Sequence, residues 1–251
     1  MIMDISLIIP CFNEEVNIQK GVLDKIGNYT AIRDDVIEVL ISDDGSSDST
    51  KKIIREKYLN QFKKFRLIEN QHHGKAFSLI SAIKEAKGNF VLFTDMDLAT
   101  PLEEIEKLIS QAKKGSTIII GSRNNARQGA PILRKIMARG FIIVRDLFIG
   151  LQGIKDSQCG FKMFKRELAL KIIDRLIVFK RERDVVGSSV GAGFDLEFLF
   201  IAGKLGNKIK EVPVHWRHVE TKNVNFLTDS FETLNDILKI KLYELRNKYQ
   251  F

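Results

Sequence analysis

Short apolar runs, each stopped by turn-forming or acidic residues, recur through the first half of the chain. Ile5-Ser6-Leu7-Ile8-Ile9-Pro10 reads as a buried strand stopped by proline, with residues 11–15 as the loop into a helix beginning near Val16. Val36 to Ser42 is a second strand, followed by a polar turn, Asp43 to Ser49, and a helix, Thr50 to Tyr58. Phe65 to Ile68, a loop from Asn70 to Lys75, and a helix from Ala76 to Ala86 repeat the cycle. A fourth strand starts at Phe90 and runs to Asp95, ahead of a helix from Pro101 to Lys113, and Thr117 to Ile120 makes a fifth, closing with Gly121-Ser122-Arg123. Strands alternating with helices predict an α/β fold, a mostly parallel sheet with helices on both faces.

The second half is patterned differently. From Ile132 to Leu151, Ile132, Ile136, Phe141, Val144, Leu147 and Phe148 share one broad helical face while Arg134, Lys135, Arg139 and Arg145 fall on the other. This is one amphipathic helix, or two around Gly140. Lys180 to Gly193, rich in Gly and Ser, reads as a loop over the site that follows it. Lys208 to Trp216 is a further strand, and Phe226 to Leu245 a second amphipathic helix.

The Asp95-Met96-Asp97 element changes the picture from fold to chemistry. On an extended segment alternate residues face the same way, so both carboxylates are expected to point at one cation. Glu14, Asp43, Asp44, Asp95 and Asp97 all follow strands, which predicts their convergence on the carboxyl edge of the sheet, where open α/β sheets bind ligands. Neither a G-x-G-x-x-G turn after the first strand nor a G-x-x-x-x-G-K-[ST] loop is present. A ligand pyrophosphate then needs another neutraliser, and Mg²⁺ or Mn²⁺ held by Asp95 and Asp97 suits it.

Charge adds a second partner. Lys and Arg number 40 against 32 acids, and residues 126–183 alone carry 14 Lys/Arg against 5 Asp/Glu. So one-sided a region implies an anionic partner: a phosphorylated substrate, an acidic membrane or nucleic acid. The last is disfavoured, because the strand-end acids repel phosphate unless metal-loaded and the aromatics are not interleaved with basic residues. Two cysteines without a C-x-x-C argue for a reducing compartment. Residues 1–10 show no secretory pattern, and no apolar run reaches bilayer length, so neither a leader nor a spanning helix is expected. The four histidines show no metal-ligand spacing and read as polar packing or surface.

Pro10-Cys11-Phe12-Asn13-Glu14-Glu15, the Asp43 to Asp48 turn, His73-Gly74-Lys75, Asp95-Met96-Asp97 and Gly121-Ser122-Arg123 resemble the successive motifs of family 2 glycosyltransferases with the GT-A fold. Asp156 to Lys162 and Phe194-Asp195-Leu196-Glu197 resemble a narrower group, the dolichyl-phosphate glucosyl- and mannosyltransferases. The resemblance implies a GT-A domain over residues 1–225, with an acceptor and membrane-interface segment at 131–152, and a C-terminal helix over 226–251. It implies that Pro10, Phe12 and Glu14 line the base and ribose site, that Asp44 and Asp43 hydrogen-bond the nucleobase, and that Lys75 and Arg217 join the nucleotide-sugar site. Asp95 and Asp97 would hold the metal on the donor pyrophosphate, and Arg123 and Arg134 would grip the acceptor phosphate. Ala99 stands where mannosyl relatives often carry Gln, and Ala138 where a Ser is often found. The first departure favours glucose and a UDP-sugar over a GDP-sugar.

The activity this implies is inverting, metal-dependent transfer of a hexose from a nucleotide sugar to a polyprenyl or dolichyl phosphate, by a cytoplasmic protein lying peripherally on the cytoplasmic face of a membrane. The alternatives are a transferase acting on a glycan hydroxyl, for which Asp195 is the candidate general base, and a non-enzymatic adaptor binding nucleic acid or lipid.

Overall fold

A computed structural model describes residues 3–123, 132–180, 192–217 and 226–251, with side chains described except at 132–139, 192 and 226–230. In chain order the elements are β1 (Ile5–Cys11), α1 (Glu15–Gln19), α2 (Val22–Ala31), β2 (Val36–Asp43), α3 (Thr50–Ile53), α4 (Leu59–Gln61), β3 (Phe65–Glu69), α5 (Lys75–Glu85) and β4 (Phe90–Phe93). Then come α6 (Ile105–Lys113), β5 (Ile118–Ser122), α7 (Ile132–Ile149), β6 (Lys162–Lys165), α8 (Arg166–Ile173), α9 (Ala192–Lys204), β7 (Ile209–Pro213) and α10 (Phe226–Leu245).

The seven strands form one sheet in the order β3-β2-β1-β4-β6-β5-β7. All pairings are parallel except those of β6, which runs antiparallel to both β4 and β5. Chain direction across the sheet reverses at β1: β2 and β3 lie on one side of it, β4 on the other. Ligands of open α/β sheets bind outside the carboxyl ends at such a point.

Strand periodicity divides the core. Ile8, Leu40, Val91, Ile118 and Ile120 face α5, α8, α9 and α10, whereas Leu7, Ile9, Val39, Ile41, Leu92 and Ile119 face α2 and α6. Both faces are covered, so the strands are apolar at successive positions and not only at alternate ones. α10 joins the first layer through Ile237 and Ile240, which are fully buried.

Several predicted boundaries shift. β4 ends at Phe93, two residues before Asp95, so the carboxylates are not carried by alternation along a strand. Instead Leu98 N–H closes a turn onto the Asp95 carbonyl at 3.2 Å, with Leu98 in the left-handed region at φ 49°. The helix expected over Thr50 to Tyr58 is α3 followed by a π-helical turn, Ile54–Tyr58, and α4. A 3-10 turn, Leu102–Glu104, precedes α6. α7 runs unbroken through Gly140. β6, four residues with a lysine at each end, has no alternation long enough to have been read from the pattern.

At the edge of the sheet opposite the carboxyl ends, Glu38 is buried at 4% exposure and accepts bonds from Ser6 Oγ (2.6 Å), Lys87 N–H (2.6 Å) and Arg66 Nη1 (2.8 Å). Burial pushes its carboxyl up, but these donors outweigh that and hold it below its ordinary 4.5. A depressed carboxylate pKa contributes stability above the unfolded value that is lost as pH falls through the folded one. Glu38→Gln is therefore expected to cost about 2 kcal/mol in urea unfolding at pH 7. The gap to wild type should stay flat down to about pH 5 and close below 4.5.

Candidate active site

The loops after β1 and β2 are laced together before they reach any ligand. Asn13, at φ 53°, accepts Ser47 N–H on its side-chain oxygen at 2.8 Å and donates its own N–H to Ser46 Oγ at 2.9 Å. Glu14 N–H donates to Thr50 Oγ1 at 2.8 Å, and Glu14 Oε2 accepts from Asn17. Pro10 lies at the end of β1 and lines a pocket with Lys75, Thr94, Asp95, Gly160, Lys162, Phe194 and Asp195.

Charges alternate around that pocket. Lys75, the first residue of α5, pairs with Asp95 Oδ1. Lys162, only 2% exposed at the start of β6, pairs with Asp195 Oδ1 at 2.9 Å and also donates to the Cys159 carbonyl. Because β6 is antiparallel, its first residue lies at the edge where β4 and β5 end. Partial removal from water pushes Asp95 up, but Lys75, then Lys162 and Arg123, outweigh it and hold the carboxyl below its ordinary range. Burial also works against the charge on Lys75, yet Asp95, Asp195 and Asp97 raise its pKa. Asp97 is different: burial and the neighbouring Asp95 charge push it up, only partly offset by the Ala99 N–H that its Oδ1 accepts at 3.0 Å.

Arg123 is fixed by a two-pronged bond to Asp156, Nε to Oδ2 at 2.7 Å and Nη2 to Oδ1 at 2.8 Å, and its own N–H also reaches Oδ2 at 3.0 Å. Its guanidinium lies 5.8 Å from the centre of the Trp216 ring. Arg217, exposed, donates its N–H to the Ala99 carbonyl at 2.8 Å, which ties the chain after β7 to the residue two beyond Asp97. Arg134 lies in α7, with its side chain outside the described residues, as does most of the expected loop over Lys180 to Gly193. Glu197, two residues past Asp195, is fully buried and accepts N–H bonds from Ile177, Val178 and Phe179 and a hydroxyl bond from Tyr249.

The structure thus brings Pro10, Lys75, Asp95, Asp97, Arg123 and Asp195 to one edge. Lys162, Gly160 and Asp156 join them, to which the sequence patterns give no individual role; a lysine bounded by apolar residues is the signal of a buried cation needing a carboxylate.

Among the described residues no group of three or more His, Cys, Asp or Glu is arranged to hold a metal. Both carboxylates of the expected pair are present, and Asp95 lines the pocket. Gly160 packs so closely that a Cβ there would lie 2.0 Å from Asp95 Oδ2. Carboxylate oxygens suit Mg²⁺ or Mn²⁺, so Asp95 and Asp97 would be the residues to hold such an ion, which would offset the charge that Asp95 places on Asp97.

The family model described as Glycosyl transferase family 2 matches residues 6–173. Among curated proteins, the dolichyl-phosphate beta-glucosyltransferase of Saccharomyces cerevisiae is 29% identical over 267 residues, covering 98% of this chain and 76% of that protein. The Dictyostelium discoideum protein of the same name is 30% identical, covering 94% and 73%. Among solved structures, glucosyl-3-phosphoglycerate synthase from Mycobacterium tuberculosis, in complex with Mn²⁺, UDP-glucose and phosphoglyceric acid, superposes with a TM-score of 0.68 at 20% identity, covering 95% of this chain and 79% of that one. At that identity the likeness establishes the fold.

Gly160→Ala is expected to drive a methyl into the Asp95 carboxylate and weaken Mn²⁺ binding by about tenfold or more. Titration calorimetry with Mn²⁺ and UDP measures it; unchanged affinity would remove Asp95 from the metal site.

Proposed function

This chain belongs to glycosyl transferase family 2, and we propose that it transfers glucose from UDP-glucose to a polyprenyl phosphate of the dolichyl type, with inversion at the sugar carbon. The observation that carries the reading is the set of charges gathered at this edge, where Asp95 pairs with Lys75 and feels Lys162 and Arg123, Asp97 feels Asp95, and Arg123 is locked by Asp156. The two carboxylates suit a metal-bound diphosphate and the Arg123 guanidinium a second anion. Support for the lipid acceptor and for glucose comes from the names of the relatives, and support for UDP from the ligands of the structural neighbour.

A divalent cation bound by Asp95 and Asp97 would supply charge stabilisation to the departing nucleoside diphosphate. The chain's own residues do the rest. Lys75 adds a positive charge at the same end of the pocket. Arg123 directs its remaining N–H donors at the acceptor phosphate, which is already anionic at neutral pH and so needs placement more than a base. Asp195, held by Lys162, presents a fixed carboxylate to the sugar.

Peripheral membrane binding fits the surface. Ile143 and Leu147 on α7 and Phe231, Leu234, Leu238, Leu242 and Leu245 on α10 are exposed, Phe231 and Leu245 at 71% each. Among the described residues no helix is long and apolar enough to cross a membrane.

Asp97→Asn is expected to lower transfer by on the order of a thousandfold with the fold intact, and excess chelator to do the same to the wild type. Radiolabel transfer from UDP-glucose, with polyprenyl phosphate and free glycans offered side by side, measures both effects. Label entering only the glycans would overturn the acceptor assignment, and full activity in chelator the metal.

A further inference from the structure

The helical wheel places Arg145 on the polar face of α7, yet it is 1% exposed, while Leu147 two residues on is 73% exposed. A guanidinium so buried is costly unless its donors are partnered. Nε and Nη2 donate to Asp146 Oδ1 at 2.9 and 2.6 Å. The other bonds run to one segment ahead of β6: Nη2 donates to the Ile154 carbonyl and Nη1 to Ser157 Oγ at 3.4 Å. From β7, Glu211 holds the same segment, its Oε1 accepting the N–H groups of Lys155 at 2.9 Å and Asp156 at 2.7 Å. Residues 154–157 are thus each tied, through a backbone group or a hydroxyl, to a charged side chain of another element.

What this segment carries is the Asp156 carboxylate. Oδ2 accepts Arg123 Nε–H and the Arg123 backbone N–H, and Oδ1 accepts Arg123 Nη2–H and, at 3.3 Å, Gln158 N–H. Nε with Nη2 is one of two edges by which a planar guanidinium holds an anion with two parallel bonds; Nη1 with the outer Nη2 hydrogen is the other, and Asp156 does not take it. The carboxylate therefore decides which edge of Arg123 is offered to a second anion. Glu211 is also placed to keep the pair in register, because it stands opposite Ile120 in the β5–β7 ladder, on the strand that leads directly to Arg123. Arginine and carboxylate hang from the same pair of strands.

We propose that Arg145 and Glu211 are positioning residues for Arg123: by fixing residues 154–157 they hold Asp156 where it turns the outer edge of the Arg123 guanidinium toward the acceptor phosphate. This role rests on the polyprenyl-phosphate reading given above, and it falls to two charged residues that do not line the pocket.

Initial rates with UDP-glucose and polyprenyl phosphate varied in turn, beside thermal unfolding of each variant, test it. Glu211→Ala, at a partly exposed site, is expected to keep the fold and to lower kcat/KM for polyprenyl phosphate about tenfold, with KM for UDP-glucose within about twofold of the wild type. Glu211→Gln, which retains the accepting oxygen, should restore the acceptor value. Arg145→Lys, which keeps the charge but not the fork, is expected to show a loss confined to the acceptor in the same way. In an Asp156→Asn background, Glu211→Ala is expected to cost nothing more, because Asp156 is the group it acts through. An additive loss in that double variant, equal losses for donor and acceptor, or wild-type acceptor values in either folded single variant would overturn the proposal. If Arg145→Lys does not fold, Glu211→Ala and its cycle with Asp156→Asn decide. A wild type that passes glucose to glycans and not to polyprenyl phosphate sinks the acceptor reading itself, and this proposal with it; a wild type active on polyprenyl phosphate leaves the variants to judge the proposal alone.

Discussion

Negative charge gathered at one edge of a sheet is the constraint that the rest of this molecule answers to. Asp43, Asp44, Asp95, Asp97, Asp156 and Asp195 all stand at this edge, and burial works against the charge on Asp95, Asp97 and Asp156. Such a cluster holds together only when most of its charges have fixed partners. Lys75 serves Asp95, Lys162 serves Asp195, Arg123 serves Asp156, and backbone N–H groups serve Asp43 and Asp44. Asp97 has no ion-pair partner among the described residues, and burial and the Asp95 charge raise its pKa. An incoming cation is worth most beside such a group.

The folding of the chain supplies those partners from distant places. Asp156 lies 33 residues beyond Arg123, and Asp195 33 beyond Lys162. Glu197 draws the turn at 177–179 onto α9 with three N–H bonds, and Tyr249 adds its hydroxyl from beyond α10. The edge is thus braced by elements that touch no ligand.

Much of this was legible before any coordinates. Buried runs such as Ile5 to Ile9 carry apolar residues at successive positions because both faces of the sheet are covered, and that, with the intervening helices, is enough to read a parallel α/β layer. Acids directly after strands located the edge. α10 was read with its limits unchanged, since its apolar stripe runs uninterrupted for 20 residues. What stayed hidden depends on tertiary pairing. β6 is too short to show a period, and its antiparallel direction is set by its neighbours. The turn that carries Asp95 and Asp97 is closed by a backbone bond to which side-chain patterns are blind. Asp44 and His72 are 28 residues apart, and no spacing rule joins them. His72 was read as polar packing or surface, and the partner it packs against, Asp44, shows only in the fold.

The reversed strand has a consequence for how the site is divided. To one side of the β4–β6 seam lie β1, β2 and β3 with the loops that carry Phe12, Asp44, His72 and Lys75; to the other lie β5 and β7 with Arg123, Trp216 and Arg217. The two sets meet at Asp95 and Lys162, and again where Arg217 N–H reaches the Ala99 carbonyl. The segment between β5 and β6 takes no part in the register of the first four strands, and meets them only through the core that Ile149 and Leu151 share with Ile8, Leu40 and Val91. On the proposed reading the first set holds the donor and the second the acceptor, and the lysine at the head of β6, paired with Asp195, stands where the two meet.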